Sequence, residues 1–421
     1  MQGIMRAMDS TVIVALAAVL AATLHWCRAR AVLPKASMTP SRIVELMRAG
    51  GQTPPPSRVA AAGAIALYEI ASNKGGEDCI DKGAVPALVA ALKAYPGEAS
   101  VAENACRALL WIARLPAVQE ACVAAGAVPA LVAALKAYPG EADVAETACD
   151  ALFCIAHNEV GGEACVEAGA VPALAAALKA HPSLVAVAET ACGALRDIAF
   201  TPSGKKACKE VAAPAVVAAL TAHLSVASVA RRACGALQAI SWGNFAGQMS
   251  CTVSGALPAL IAALEAHPGE AAVAERACET LCNITCVSPP AIQFCLSLGA
   301  EKVLLQAAQA SHPSASPAAC WALCNISPAA CTDFRIVSSA VSSITSESCM
   351  KEDGDPVGTI YCCWSLSNIA SKDTGRACCV LAGAVPLLAA AFSAHTRDAR
   401  QWAHDTLSKL GYKDDGSLSE K

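Results

Sequence analysis

The chain has 421 residues, of which 55% are hydrophobic but only 4% aromatic, so its apolar mass is mostly Ala, Leu, Val and Cys. Charged residues make up 16% and the net charge is −4 at pH 7, without the basic excess that draws a protein to a polyanion, which argues against a nucleic-acid partner. The 23 cysteines recur singly at regular spacing in a chain large enough to fold without staples, which argues against a disulfide scaffold and favours a reducing compartment.

Residues 11–27 come first in chain order: 17 consecutive uncharged residues, at the lower limit for crossing a bilayer. Arg28, Arg30 and Lys35 follow them, and the positive-inside rule then keeps the remainder on the cytosolic side. A membrane anchor is the preferred reading. An Ala-rich capping helix and a signal-peptide core stay open as alternatives.

From residue 41 a repeat begins. Gly83-Ala84-Val85-Pro86 returns at Gly126-Ala127-Val128-Pro129, at Gly169-Ala170-Val171-Pro172 and at Gly383-Ala384-Val385-Pro386, with worn versions at Pro214, Leu257-Pro258 and Gly299-Ala300. Successive prolines 86, 129, 172, 214 and 258 are 43, 43, 42 and 44 residues apart. A fixed period of this length marks stacked supersecondary units, and molecules built so usually hold other molecules.

Residues 115–156 show how one unit is expected to fold. Val118, Cys122 and Val123 put an apolar stripe on a short first helix, and Gly126 ends it where the backbone must turn left-handed. Pro129 suits the first turn of a second helix, whose buried face is Val128, Leu131, Val132 and Leu135. Pro139-Gly140 breaks that helix, and Glu141 and Asp143 open a third, carrying Val144, Ala148, Leu152 and Ile155. Such a unit cannot cover its own stripes; its neighbours do so. One partial repeat (Ser41 to Ala71) and eight fuller ones, ending near 113, 156, 199, 241, 285, 327, 370 and 410, account for the chain. Residues 411–421 are polar and expected to be disordered.

Three columns run through the repeats. Cys79, Cys122, Cys165, Cys208, Cys251 and Cys295 stand four residues before the Gly position, and Cys106, Cys149, Cys192, Cys234, Cys278, Cys320 and Cys363 lie on the third helices. Both read as small buried hydrophobes rather than metal ligands, because zinc sites favour loop-closing knuckles over one helix face. His181, His223, His267, His312 and His395 share the position that Tyr95 and Tyr138 fill elsewhere, in the last turn of the second helix, where they are expected to meet exposed carbonyls. One histidine per unit is no catalytic constellation. With no phosphate loop, nucleophile elbow or HExxH, neither an enzyme nor a cofactor is expected.

The GAVPAL start of the second helix and the ALxxIA end of the third resemble the armadillo repeat, over about Pro40 to Leu410. HEAT repeats are the nearest alternative, but they typically have two helices per unit. The resemblance implies an all-α, right-handed superhelix of about eight to nine three-helix repeats, with third helices lining a concave groove: residues 1–40 an apolar segment and linker, 41–410 the solenoid, 411–421 the tail. Trp321 with Asn325, and Trp364 with Asn368, look like the WxxxN pattern of importin-α-type armadillo proteins, in which Asn amides bind a peptide backbone and Trp rings hold its side chains. Asn283 extends the ladder one repeat back, whereas Glu69, Trp111, Cys154, Asp197 and Ala239 break it earlier. Glu103, Glu146, Glu189 and Glu275 form an acidic flank to that groove, with the alternative that they are solvated carboxylates favoured early in a helix. The expected function is a non-enzymatic scaffold for protein or peptide partners, tethered to a membrane by 11–27. Vacuolar-type armadillo scaffolds are similar but use N-terminal lipids; here Gln2 stands where myristoylation needs glycine. The alternative is an importin-α-like adaptor for basic segments.

Overall fold

The computed structural model describes residues 39–48, 55–286, 288–309, 315–326, 363, 366–367, 369–371, 373–394 and 397–419. Segment 11–27, His312, His395, Trp364, Asn368 and most of the 328–370 repeat lie outside the described residues. Where described, the chain is helical apart from turns and one isolated bridge, Tyr412 to Leu418. It divides into two compact units between Ala180 and His181.

In the first unit the third helices are Ser57–Ile70, Ala99–Ala113 and Ala142–Ala156, packed on one another in order. In the second they are Val185–Phe200, Ala227–Ser241, Ala271–Thr285 and Ala315–Ile326, also packed in order, with Arg397–Leu410 last. Alanine sets this packing: Ala102, Ala105 and Ala108 on one helix and Ala145, Ala148 and Ala151 on the next are all buried. Side chains that small let the helices approach closely.

The left-handed glycines act as the repeat pattern requires. Gly126 has φ 79° and turns the chain by 76° between 116–124 and Ala127–Ala137. Gly255, φ 81°, does the same by 74° between Phe245–Val253 and Ala256–Ala266. One repeat departs from the expected three helices. Counted four residues on from Cys208, Ala212 stands where glycine stands elsewhere, Pro214 follows one residue early, and Pro202–Ala222 is a single 21-residue helix with Pro214 inside it. A left-handed turn costs a Cβ-bearing residue about 1–2 kcal/mol. The chain therefore stays right-handed and forgoes the hydrogen bond that Pro214 cannot donate.

A second set of glycines makes the corner from third helix to first. Cβ atoms added to Gly161, Gly204 or Gly247 would lie 1.8, 1.8 and 2.0 Å from the carbonyl oxygens of Ile155, Ile198 and Ile240. The corner is capped as well: Asn158 Oδ1 accepts from Gly161 N at 2.7 Å, and Thr201 Oγ1 from Gly204 N at 3.1 Å. Val118 occupies the equivalent place one repeat earlier, and the chain there enters its first helix through the 3-10 turn Pro116–Val118.

Both cysteine columns are inside. Cys79, Cys122, Cys165, Cys208, Cys251 and Cys295, Cys106, Cys149, Cys192, Cys234 and Cys278 on the third helices, and Cys363 are all buried. Burial pushes Cys106, Cys192 and Cys234 up to about 12, and Cys79 up to about 11 with help from Asp78. They stay protonated at neutral pH and pack as small apolar groups.

One member of the histidine column reaches across to the preceding repeat. His267 Nε2 lies 2.7 Å from the carbonyl oxygen of Leu224, 43 residues earlier, whereas the last turn of its own helix is closed by its backbone N–H on Ala263 O at 3.0 Å. The covered Nε2 atoms of His181 and His223 and the phenol oxygens of Tyr95 and Tyr138 have no hydrogen-bond partner.

Residues 411–419 pair with themselves. Lys413 N donates to Ser417 O at 2.7 Å and Ser419 N to Gly411 O at 3.0 Å, closing a small hairpin at Gly416, φ 80°. A Cβ on Gly416 would lie 3.4 Å from Ala389 Cβ, and Asp414 Oδ1 is 2.6 Å from His404 Nδ1. The backbone of these residues thus pairs with itself against the last repeat.

Candidate peptide-binding face

The side chains that third helices leave on their open side divide into two groups, one in each unit. In the first, Tyr68 and Trp111 meet with ring centroids 6.1 Å apart. The Arg114 guanidinium lies 4.5 Å above the Trp111 ring and donates to Asp150 on the next third helix at 3.2 Å. Three successive helices are thus joined by an aromatic pair, a cation and a carboxylate. The sequence reading took Trp111 only as a break in the asparagine ladder. The signal it missed is that Tyr68 precedes Trp111 by 43 residues, one repeat.

In the second unit a glycine is the organising element. A Cβ on Gly235 would lie 3.2 Å from Arg196 Cδ and 4.0 Å from Arg276 Cδ, so arginine stems from both flanking helices lie over the bare backbone of Ala227–Ser241. Arg196 holds Asp197 at 2.6 and 2.8 Å. Arg276 lies 3.3 Å from Glu279 and 3.5 Å from Glu275. The Asp197 and Glu279 side chains are only 7% and 3% exposed, so these carboxylates are charges taken out of water that need their arginines. Glu279 stands where the pattern later has Trp321.

The structure places two of the ladder amides. Asn283 Nδ2 donates to Ser241 Oγ at 3.2 Å, 42 residues earlier, and Ser241 Oγ donates on to Gln238 O at 3.1 Å. Asn325 Nδ2 reaches Thr285 Oγ1 at 3.4 Å and Cys282 O at 3.5 Å. Each amide therefore spans to the preceding third helix while its side chain stays half-buried. An amide has two N–H donors and an oxygen with two lone pairs, so one bridge leaves hydrogen-bonding capacity over. Trp321 lies on Ala315–Ile326 one turn before Asn325. Trp364 and Asn368 lie outside the described residues.

The acidic flank is not uniform. Glu103 accepts from Arg107 at 2.7 Å, one turn along its own helix, and Glu275 is shared with Arg276. Glu146 is exposed and Glu189 half-buried. In each unit an arginine thus sits beside one of the acids, Arg107 in the first and Arg276 in the second. Among the described residues no three His, Cys, Asp or Glu side chains converge on a metal-sized point.

No family model matches the sequence, and no curated protein matches it. Solved structures do match. An engineered protein from a structural genomics programme is 26% identical, with a TM-score of 0.69 over 89% of this chain and 89% of its own. A chain from a study of the phosphorylation switch that controls the interaction between cadherin and beta-catenin is 14% identical, with a TM-score of 0.61 over 88% of this chain and 86% of its own. Beta-catenin is an armadillo-repeat protein, and this chain has the same kind of fold: an all-α solenoid of armadillo type.

Proposed function

We propose that this chain is a non-enzymatic scaffold that binds extended segments of partner proteins along its third helices. The observation that carries the reading is the bridging by Asn283 and Asn325, which fixes each amide on the open side of a third helix without using all its donors and acceptors. An extended segment offers main-chain N–H and C=O groups of the complementary kind. Its side chains would meet Trp321 and Trp364 at one end of the row, and Arg276 and Glu275 further back. The beta-catenin likeness supports a fold suited to protein partners. The apolar segment 11–27 is proposed to tether the scaffold to a membrane with its repeats in the cytosol.

A basic-segment adaptor of importin-α type is less favoured. Two of its four acidic residues, Glu103 and Glu275, already have arginines beside them. A segment of mixed charge suits this face better.

The test is selection from a random extended-peptide library by the full chain and by an Asn283→Ala, Asn325→Ala variant. Selected peptides are expected to bind the variant at least about tenfold more weakly, the loss of one to two hydrogen bonds in a dry setting. Equal binding by both would assign the two amides to packing alone. A companion Trp321→Ala, Trp364→Ala variant tests the tryptophans in the same assay.

A further inference from the structure

One edge of the second unit carries a surface that the peptide-binding reading does not use. Third helix Val185–Phe200 ends on Phe200, 46% exposed, and the next, Ala227–Ser241, ends on Trp242, 41% exposed. Their rings meet edge to face with centroids 6.4 Å apart. The two corners are stapled by Asn244 Nδ2 donating to Lys205 O at 3.2 Å. From there Phe245–Val253 carries Phe245, Met249 and Val253, which are 65%, 41% and 82% exposed. These residues fall at i, i+4 and i+8, one stripe along the helix, while Gly247, Gln248 and Cys251 face inward. The apolar face is therefore turned outward, the reverse of what a helix packed on a core needs.

The charges beside this stripe are of one main sign. Phe245–Val253 has no charged residue, and the neighbouring helix Pro202–Ala222 supplies Lys205, Lys206 and Lys209. The one carboxylate among them, Glu210, lies 3.6 Å from Lys209. The corresponding first helix of the other unit, Glu159–Glu167, carries Glu159, Glu163 and Glu167 instead. Phe245 and Val253 are the most exposed side chains of this stripe. Exposed Trp and Phe flanked by lysines is the composition that enters a headgroup layer whose lipids are anionic.

We propose that the edge formed by Phe200, Trp242, Phe245, Met249, Lys205 and Lys206 lies on an anionic lipid surface. The aromatic and aliphatic side chains insert at headgroup depth and the lysines neutralise lipid phosphate or carboxylate. Segment 11–27 is only marginal in length for an anchor. A second contact of this kind turns weak, reversible attachment into stable attachment.

The test uses the full chain in cosedimentation with phosphatidylcholine vesicles, with and without phosphatidylserine. The variants are Lys205→Glu with Lys206→Glu, Phe245→Ser with Met249→Ser, and Val160→Ser as an exposed control on the acidic first helix. Segment 11–27 is present in every protein, so its contribution cancels in the comparison. Wild type is expected to bind the phosphatidylserine vesicles about tenfold or more tightly than the neutral ones, at a gain of several-fold per lysine. The lysine variant is expected to lose that preference. The Phe245 and Met249 variant is expected to bind both compositions more weakly, and Val160→Ser to match wild type. Wild-type-like binding by both edge variants overturns the proposal while leaving the reading of 11–27 standing. It is overturned equally if the edge variants abolish self-association or peptide binding while vesicle binding is unchanged.

Discussion

Gly204→Ala tests the corner geometry that sets one repeat on the next. The new Cβ would sit 1.8 Å from Ile198 O, 2.6 Å from its carbonyl carbon and 2.8 Å from Thr201 Oγ1. Two of those atoms are backbone, so relief requires the first-helix segment to move by more than 1 Å away from the end of Val185–Phe200. Overpacking of this kind costs about 1–3 kcal/mol. The shift also stretches the 3.1 Å cap from Gly204 N to Thr201 Oγ1, which contributes about 1 kcal/mol. Against this, Ala restricts the unfolded chain, worth about 0.4–1 kcal/mol. The net expectation is a loss of about 1–3.5 kcal/mol, or roughly 5- to 400-fold in the population of the locally open state. Because repeat arrays need not unfold in one step, the assay is local: iodoacetamide trapping of Cys208, which is fully buried in the same helix, beside a urea melt. Gly140→Ala is the control, since nothing lies within 4 Å of a Cβ there. Cys208 protection and a urea midpoint in Gly204→Ala equal to those of Gly140→Ala would refute the reasoning.

Four other outcomes are expected. Gly126→Ala should destabilise by about 1–2 kcal/mol because φ there is left-handed; Ala212→Gly, inside the continuous helix, should cost about 1 kcal/mol instead of restoring a useful bend. Thermal melts read both, and stabilisation by Ala212→Gly would contradict the account of the fused helix. Arg276→Met should cost about 1–3 kcal/mol, discounted because the arginine is partly exposed, by leaving Glu279 without its guanidinium. Adding Glu279→Gln should restore most of the loss in a double-mutant cycle, whereas simple additivity would show the pair uncoupled. The buried thiols should make stability fall with alkaline pH. Cys106, Cys122, Cys165, Cys192, Cys208, Cys234 and Cys251 are raised from 9.0 to about 12. Below pH 9 both states hold their protons; between 9 and 12 the unfolded chain holds fewer, so unfolding becomes favoured. Cys→Ala at Cys106, Cys192 and Cys234 should flatten that decline, and an unchanged slope would count against it.

How much could be read beforehand depends on whether a residue acts within its own repeat or on the next. Gly126, Pro129 and the apolar stripe of the second helix act locally, so period and spacing suffice to place them. The cysteine columns were legible for the same reason. The fused helix at Ala212 was not, because Pro214 preserved the rhythm while the residue that makes the bend had changed. The corner glycines recur at 161, 204 and 247, a period of 43, yet they look like ordinary helix-weakening residues until a carbonyl is found 1.8 Å from their missing Cβ. Asn283 and Asn325 lie on third helices, but their bridges to Ser241 and Thr285 cross between repeats. Such contacts depend on how one helix is rotated against another, which a single repeat's pattern does not contain. The hairpin at 411–419 could not be read from composition, because backbone pairing carries no compositional signature.

The most direct measurement of the scaffold claim is site-specific photocrosslinking with a library-selected peptide. A benzophenone side chain replaces Glu275, half-buried on a third helix, or Glu265, exposed on the second helix before it. The account predicts a crosslinked peptide from position 275 and none from 265, with the 275 product lost on competition by unlabelled peptide. Crosslinking from 265 alone, or equally from both, would contradict it.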